Sequence, residues 1–457
     1  MALFAVCSSY LTQIDHCRLM QTSHISQRAC LFPSASPVEI QLSRTLFRAP
    51  LPLALLRLRP TRCVFLSDGI NRLFFSDFCA SPMAAGITAL TLSDASPGTA
   101  LDLSPLSQLT ALQSLRITTE HSETCSSLVT LYGDQSPSVL SGRVPPLIQL
   151  KHMGVRHSLP FYDLAPLPLV SLTCSSILWF GTASLQRLAT STAARHLREL
   201  DFSRLQLSLT RHWSFPAGFE SLTVLKLELV DAGQFMAILT GPLPALLELH
   251  LDGSELAQYA YKETAKELGL LPDDEGLCCI PPLTTLSLDR CHLSRDVLDQ
   301  LFAFKMPSLT ELRVQRISGS RIVETWFDLR VDWWPSLRTL AIDPHMTDSF
   351  QTSVLLGIET LSISNVHNLP GSGWPTVAAS LRRFPELRNL SLEGGRTLES
   401  LTELKLGRDL EVLRLRTPLV DQDIVAVVHP PCLKLVVPLD SLAYFQKRCR
   451  GITVVEM

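Results

Sequence analysis

A proline followed at fixed steps by three apolar residues recurs four times in this chain. The apolar residues stand two, five and seven positions after the proline, giving the pattern PxLxxLx(L/V/I). A motif of this length recurs so often only when a chain is built from copies of one structural unit, and units of about 20 to 50 residues predict a solenoid. The four copies are Pro244–Leu251, Pro307–Val314, Pro335–Ile342 and Pro385–Leu392.

The series grows longer when the proline is no longer required. Apolar residues at steps of three and then two recur about every 25 residues and predict about 13 to 15 irregular repeats over residues 70–457. Leu401 and Leu410 begin overlapping copies, and Leu410 is favoured because it keeps the spacing even. The copies begin at Ile70, Ile87, Leu112, Leu147, Leu169, Leu197, Leu222, Leu246, Leu283, Leu309, Leu337, Ile358, Leu387, Leu410 and Leu433.

The hydrophobic period changes within each repeat. Alternation inside the triplet predicts a short strand with one face buried. Between triplets the period becomes helical, as where Ser294 can cap a helix that buries Val297 and Leu301. Strand and helix in alternation predict an α/β fold in which the strands form a parallel sheet and the helices lie outside it. Further helices are predicted at Gln234–Leu239, Val377–Phe384, Ile424–Val428 and Leu442–Cys449.

These repeats resemble leucine-rich repeats, whose consensus is LxxLxLxxN/CxL. The copy formed by Leu283, Leu286, Leu288, Cys291 and Leu293 matches every consensus position, with cysteine at the Asn/Cys position. Repeats that contain helices and have this length are similar to those of the ribonuclease-inhibitor-like group. The resemblance implies a horseshoe-shaped solenoid with a concave parallel sheet and outer helices.

The repeat pattern also predicts the domain organisation. Residues 1–69 precede the first copy and are expected to be poorly ordered or atypical, with an arginine-rich composition like that of an organelle transit peptide. Residues 70–457 form the solenoid. Residues 252–282 interrupt the spacing and are predicted to be an insertion, whereas residues 439–457 are predicted to cap the C-terminal end.

Charge, cysteine content and hydropathy narrow the classes of partner. The net charge of −3 lacks the basic excess that nucleic-acid binding requires. No apolar run reaches the ~18 residues that span a bilayer. The 12 cysteines contain no CxxC pair and are interpreted as reduced, buried side chains. We therefore expect a monomer in the cytoplasm or nucleus, without nucleic-acid or membrane partners.

The residues between the buried triplet positions are predicted to face outward on the concave sheet. Acids predominate among them, which favours a protein partner with a basic segment. Ordinary solvation of a strand face explains the same residues equally simply. A metal site at His250 is disfavoured because alternate strand positions are about 7 Å apart. The predicted protein-binding residues are Glu199, Asp201, Lys226, Glu228, Glu248, His250, Asp252, Asp289, Glu311 and Arg313.

No motif for catalysis or cofactor binding is present. The sequence lacks HExxH, GxxxxGK(S/T), GxGxxG and GxSxG, so no enzyme activity, metal or cofactor is expected.

The family resemblance suggests two kinds of interaction scaffold. One is a substrate receptor of an F-box-type ubiquitin ligase, which implies a cullin-ligase adaptor as a partner. Leu51, Pro52, Leu55 and Leu56 resemble the opening LPxELL of an F-box, although Ala54 replaces its acid. The alternative is a ribonuclease-inhibitor-like or GTPase-regulator-like binding protein without a ligase role.

Overall fold

The structure is a computed structural model of the 457-residue chain. Contacts divide it into two compact units, the first comprising Met1–Leu209 with Pro216–Leu222 and the second comprising Thr210–Phe215 with Thr223–Met457. It describes residues 39–42, 62–65, 72–81, 84–94, 103–109, 111–119, 147–152, 169–175, 180–204, 207–208, 215–228, 230, 232–239, 241–253, 255–256, 281–293, 305–315, 334–343, 357–364, 381, 384–393, 410–415, 433–437, 446 and 453–456.

The first unit contains a parallel sheet whose strands pair in chain order. The short strands β7 and β9 pair separately with each other. A register shift at Ile148 marks an irregularity between β5 and β6. The strands are β1 (Glu39–Leu42), β2 (Arg62–Phe65), β3 (Ala89–Asp94), β4 (Ser114–Thr119), β5 (Leu147–His152), β6 (Leu169–Ser175), β7 (Phe180–Gly181), β8 (Glu199–Arg204) and β9 (Leu207–Ser208).

The second unit repeats this arrangement. Its strands also pair in parallel and in chain order, and β12 pairs separately with β14. The strands are β10 (Val224–Glu228), β11 (Glu248–Asp252), β12 (Glu255–Leu256), β13 (Thr285–Asp289), β14 (His292–Leu293), β15 (Glu311–Gln315), β16 (Thr339–Ile342), β17 (Thr360–Ile363), β18 (Asn389–Leu392), β19 (Val412–Leu415), β20 (Lys434–Val437) and β21 (Thr453–Glu456).

The triplet leucines are the core of both units. In the second unit Leu249, Leu286, Leu312 and Leu340 occupy equivalent positions on successive strands, and all four are buried. Each contacts its register neighbours because the strands are parallel and in phase, so one apolar column runs through the stack. Each unit is therefore a parallel β-solenoid, as the repeat spacing predicted.

The prolines of the motif start the turn that leads into each strand. Leu309 N donates a hydrogen bond to Met306 O, which places Pro307 at the second position of a β-turn. Proline suits this position because its fixed φ matches the turn. Equivalent bonds join Leu246 to Leu243, Leu337 to Trp334 and Leu387 to Phe384. The residue before each proline is apolar and buried, so it extends the core by one side chain per repeat.

Four α-helices are described over five or more residues. They are α1 (Arg72–Cys79), α2 (Thr182–Ala189), α3 (Thr192–His196) and α4 (Ala232–Leu239), and short 3-10 helices cover Ala84–Gly86 and Ser104–Gln108. The predicted helix at Gln234–Leu239 is confirmed by α4. Leu381 in the predicted helix Val377–Phe384 and Gln446 in the predicted helix Leu442–Cys449 are helical, but the rest of these two segments, apart from Phe384, lies outside the described ranges. The predicted helices after Ser294 and at Ile424–Val428, and most of the insertion at 252–282 and the cap at 439–457, also fall outside the described ranges. An outer helical layer around a concave sheet stays a prediction.

Three repeat frames differ from the sequence expectation. The copy at Ile70 was expected to be a strand, but residues 72–79 form α1, because Phe75, Phe78 and Cys79 have helical spacing and are buried. The parallel series instead extends upstream through β2 and β1, within the segment 1–69 that was expected to be poorly ordered or atypical.

The other two shifts occur where apolar residues stand next to each other. Register pairs Ile148 with Leu115, so the frame begins two residues before Leu147. Leu435 pairs with Leu413, so the last frame begins one residue before Leu433. Adjacent apolar side chains make the alternation ambiguous, and strand pairing decides which of them face the core. The Leu410 frame is confirmed, since Leu413 and Leu415 are buried in β19.

Candidate functional site

Parallel register gathers most of the predicted binding residues on one face of the second unit. Because Leu249 and Leu251 point inward, their strand neighbours point outward. Strands β10, β11, β13 and β15 pair without a shift, so the outward residues form three rows across the strands. The first row is Val224, Glu248, Thr285 and Glu311; the second is Lys226, His250, Ser287 and Arg313; the third is Glu228, Asp252, Asp289 and Gln315. We call these three rows the polar face.

Eight of the predicted residues lie on the polar face, and two do not. Glu199 and Asp201 belong to β8 in the first unit, where Ser171 Oγ donates a hydrogen bond of 3.0 Å to Glu199 Oε2. The repeat spacing could not show that the predicted binding residues belong to two different units, because the leucine pattern continues from one unit into the next.

The charged side chains of the polar face are partly exposed and already make local contacts. The side chains of Glu248, His250, Glu311 and Arg313 have exposed fractions between 24% and 52%. His250 Nε2 lies 3.3 Å from Glu248 Oε2, and Arg313 Nε donates to Glu311 Oε1. Water screens such exposed pairs, so a partner can exchange these contacts for its own at small cost.

Arg290 is a member of this site that sequence reasoning missed. It follows β13 directly, and its guanidinium donates two hydrogen bonds to the carboxylate of Asp252 on the neighbouring strand. The hydrogen bond and charge of Asp252, with Asp289 and Glu228 nearby, raise the pKa of Arg290 above its usual value. One cation is therefore surrounded by the carboxylates of the third row.

The backbone at Arg290 has an unusual conformation for a side chain of its size. Its φ is 52°, and Gly253, the equivalent residue after β11, has φ 59°. The N–H groups of both residues bond to the next strand, Gly253 N to Asp289 O and Arg290 N to Gln315 O. Glycine adopts positive φ without cost, whereas other residues meet Cβ crowding there. The sequence contained one indication of this conformation, because Gly253 occupies the position of the preceding repeat that corresponds to Arg290.

Substituting Arg290 separates this backbone cost from the ion pair. Arg290→Gly and Arg290→Ala both remove the contact with Asp252, but only glycine relieves the positive φ. We expect Arg290→Gly to be more stable than Arg290→Ala by about 1 kcal/mol in urea unfolding. Equal stability of the two variants would contradict the left-handed conformation.

Cys291 has a structural role at the Asn/Cys position of the repeat. Its side chain is buried, and its Sγ–H can donate a hydrogen bond to either of two backbone carbonyl oxygens. Sγ lies 3.3 Å from Asp289 O and 3.7 Å from Leu251 O. Carbonyl groups that leave a strand need such donors when they are buried. This geometry agrees with the resemblance to leucine-rich repeats.

The described residues contain no group of three or more side chains suited to hold a metal ion. Within the same ranges, no helix has the length and apolar character needed to cross a membrane.

Comparison with known proteins adds little to this description. No family model and no curated protein match the chain. Two solved structures are similar to it at 14% identity. The crystal structure of the mouse RP105/MD-1 complex has a TM-score of 0.42, with 93% of this chain and 80% of that chain covered. The Toll–Spatzle complex of Drosophila has a TM-score of 0.40, with 91% of this chain but only 64% of that chain covered.

These likenesses are too distant to bear on function. The fold follows from the strand pairing of the chain itself, in which buried leucine triplets stack in parallel register as leucine-rich repeats do.

Proposed function

We propose that this chain is a non-catalytic scaffold that binds a protein partner over the polar face. One observation carries the proposal: the leucines on one side of each strand are buried, while charged, partly exposed side chains predominate in the three rows on the other side of β10, β11, β13 and β15. A row of this kind is rigid because each strand is fixed by its neighbours. Rigid, exposed, charged surfaces suit the recognition of macromolecules.

The acids of the polar face favour a partner with a basic segment. Carboxylates supply four of the nine outward positions on β10, β11 and β13 through Glu228, Glu248, Asp252 and Asp289. Such a surface attracts arginine and lysine side chains and repels phosphate groups. Association with a basic segment should therefore slow as the salt concentration rises.

Charge reversal tests this proposal. The double variant Glu248→Lys/Asp252→Lys is expected to weaken partner capture about ten-fold, since it replaces two attractive groups by two repulsive ones. The control Glu220→Lys/Glu386→Lys makes the same change in net charge at exposed acids in turns before strands. Partners recovered by affinity purification and identified by mass spectrometry would be compared between the two variants. Equal recovery from both would contradict binding at the polar face.

The finer roles suggested by the family resemblance have less support. The F-box-like residues 51–56 are not among those that the structure describes, so a ligase-receptor role rests on the sequence alone. A cullin adaptor that co-purifies with the full chain, and is lost with residues 1–69, would be the observation required. A ribonuclease-inhibitor-like or GTPase-regulator-like binder needs no such module, and it uses the polar face directly.

We further propose the cytoplasm or nucleus as the compartment. Cys63, Cys79 and Cys291 are buried, and none of these three forms a disulfide. Burial raises the pKa of Cys79 to about 12, so this thiol stays protonated and unreactive near neutral pH. Buried cysteines that form no disulfide are typical of proteins in reducing compartments.

A further inference from the structure

The outward side of the second unit has charges of opposite sign at its two ends. We propose that it binds an extended segment of a protein partner that carries basic side chains at one end and acidic side chains at the other. This inference rests on the proposed scaffold function and specifies the charge order of the partner. The acidic end is formed by β10, β11 and β13, and the basic end by β19 and β20.

At the acidic end, carboxylates outnumber basic groups even when local ion pairs are included. Glu228, Glu248, Asp252 and Asp289 stand beside Lys226 and Arg290. The next strand, β15, contributes the internally paired Glu311 and Arg313, which cancel each other. The surface near β11 is therefore negative overall and favours an arginine or lysine of the partner.

At the basic end, two cations are exposed on neighbouring strands. Arg414 is an outward residue of β19, and Lys434 is an outward residue of β20. Lys434 pairs in register with Val412, which lies two residues before Arg414 on β19. Within the described chain neither side chain has a hydrogen bond or an ion pair. Both cations can therefore reach a carboxylate of a bound segment.

Acids close to the basic end are occupied by contacts of their own. Glu411, just before β19, pairs with Arg388, with 3.6 Å between Oε1 and Nη1. Asp343, after β16, is buried and accepts a hydrogen bond of 2.6 Å from Ser364 Oγ. Glu393, which follows β18, also has a contact of its own. No carboxylate occurs at the outward positions within strands β16 to β20, so Arg414 and Lys434 are the charged residues at these positions and make the local potential positive.

The middle of this face is uncharged and has short side chains. Thr339 and Ala341 on β16 are the register partners of Thr360 and Ser362 on β17. Short side chains let the backbone of a bound segment approach the sheet closely. Six strand steps separate β11 from β19, and at about 4.8 Å per step the two charged ends are about 29 Å apart. An extended chain covers this distance with about eight or nine residues.

Peptides of defined charge order provide the direct test. The bipolar probe has three arginines and three glutamates separated by nine Ser, Thr and Gly residues, and it is made in both chain orders. The control peptide has the same composition with its charges mixed along the sequence. In fluorescence anisotropy titrations with the full chain at low salt, we expect one bipolar probe to bind about ten-fold more tightly than the control. Equal affinities of all three peptides would overturn the proposal.

Two variants then assign each end of the probe. Arg414→Glu/Lys434→Glu should abolish the advantage of the bipolar probe over a peptide with the arginines alone. Glu248→Lys/Asp252→Lys should abolish its advantage over a peptide with the glutamates alone. If Arg414→Glu/Lys434→Glu leaves the affinity for the bipolar probe unchanged, the proposal of a bipolar binding surface is wrong. The scaffold function would still stand in that case, provided that partner capture remains sensitive to Glu248→Lys/Asp252→Lys.

Discussion

Leu249→Ala is expected to lower the free energy of unfolding by about 2–5 kcal/mol, the usual range when a fully buried leucine is truncated and leaves a cavity. Leu249 has 0% exposure and lies in β11, with Leu225 and Leu286 as register partners on both sides. The repeats around it cannot close the gap, because neighbouring strands fix their spacing. Urea unfolding followed by circular dichroism measures the loss.

A second leucine nearby provides a matched control. Leu247 lies two residues before Leu249 and is 38% exposed. Its backbone bonds to Thr284 and Thr285 do not involve its side chain. Leu247→Ala should therefore change stability by less than about 0.5 kcal/mol. A larger cost for Leu247→Ala than for Leu249→Ala would contradict the burial of Leu249 in the core.

Gly218→Ala should destabilise the first unit by about 2–4 kcal/mol, because it adds both backbone strain and a steric clash. Gly218 has a φ of 125°, which residues with a Cβ rarely adopt. A Cβ at this position would also overlap the backbone carbonyl of Ala189, which ends α2. A backbone atom held by a helix cannot move aside easily.

Gly357→Ala is the milder comparison. Gly357 also has a positive φ, of 86°, but the nearest atom to an added Cβ is the guanidinium Nη1 of Arg338. A flexible side chain can shift, so only the backbone cost of about 1–2 kcal/mol remains. Thermal unfolding of the two variants should give the larger shift for Gly218→Ala. The reverse order would contradict the close approach to Ala189.

The sequence predicted the strands of the second unit well because each triplet has one clear alternation. At Leu283, Leu309 and Leu337 the predicted frame agrees with the strand and its burial. Ser287, Arg313 or the small Ala341 separates the two inward aliphatic side chains there, so only one register buries them both. This is the condition under which a period-two pattern decides which face is inside.

The sequence predicted the wrong repeat frame where several apolar residues are adjacent, or where their spacing fits both a strand and a helix. The residues after Ile70 fit a triplet, yet Phe75 and Phe78 pack as one face of a helix. Near Leu433, Val436 and Val437 are both buried, so alternation alone could not place the frame. Pairing with the preceding strand supplied the missing information, and pairing is a property of the folded chain.

The candidate site was predictable as rows of residues but not as contacts. Outward positions such as Glu248 and Asp252 follow directly from the leucine frame. Arg290 could not be identified in this way, because it lies after the strand and reaches Asp252 across 38 residues of sequence. The separation of Glu199 from the other acids was hidden for a related reason, since the boundary between units leaves no mark in the repeat.

Distances between spin labels within the second unit test the parallel stack most directly. One label, introduced as an unnatural amino acid, stays at His250, and the second is placed in turn at Ser362, Ser391 and Arg414, which are outward residues of β17, β18 and β19. The stack predicts that the measured distance rises with each strand, by up to about 5 Å per step. Distances that stay constant or decrease along this series would contradict a parallel β-solenoid with its leucines inside.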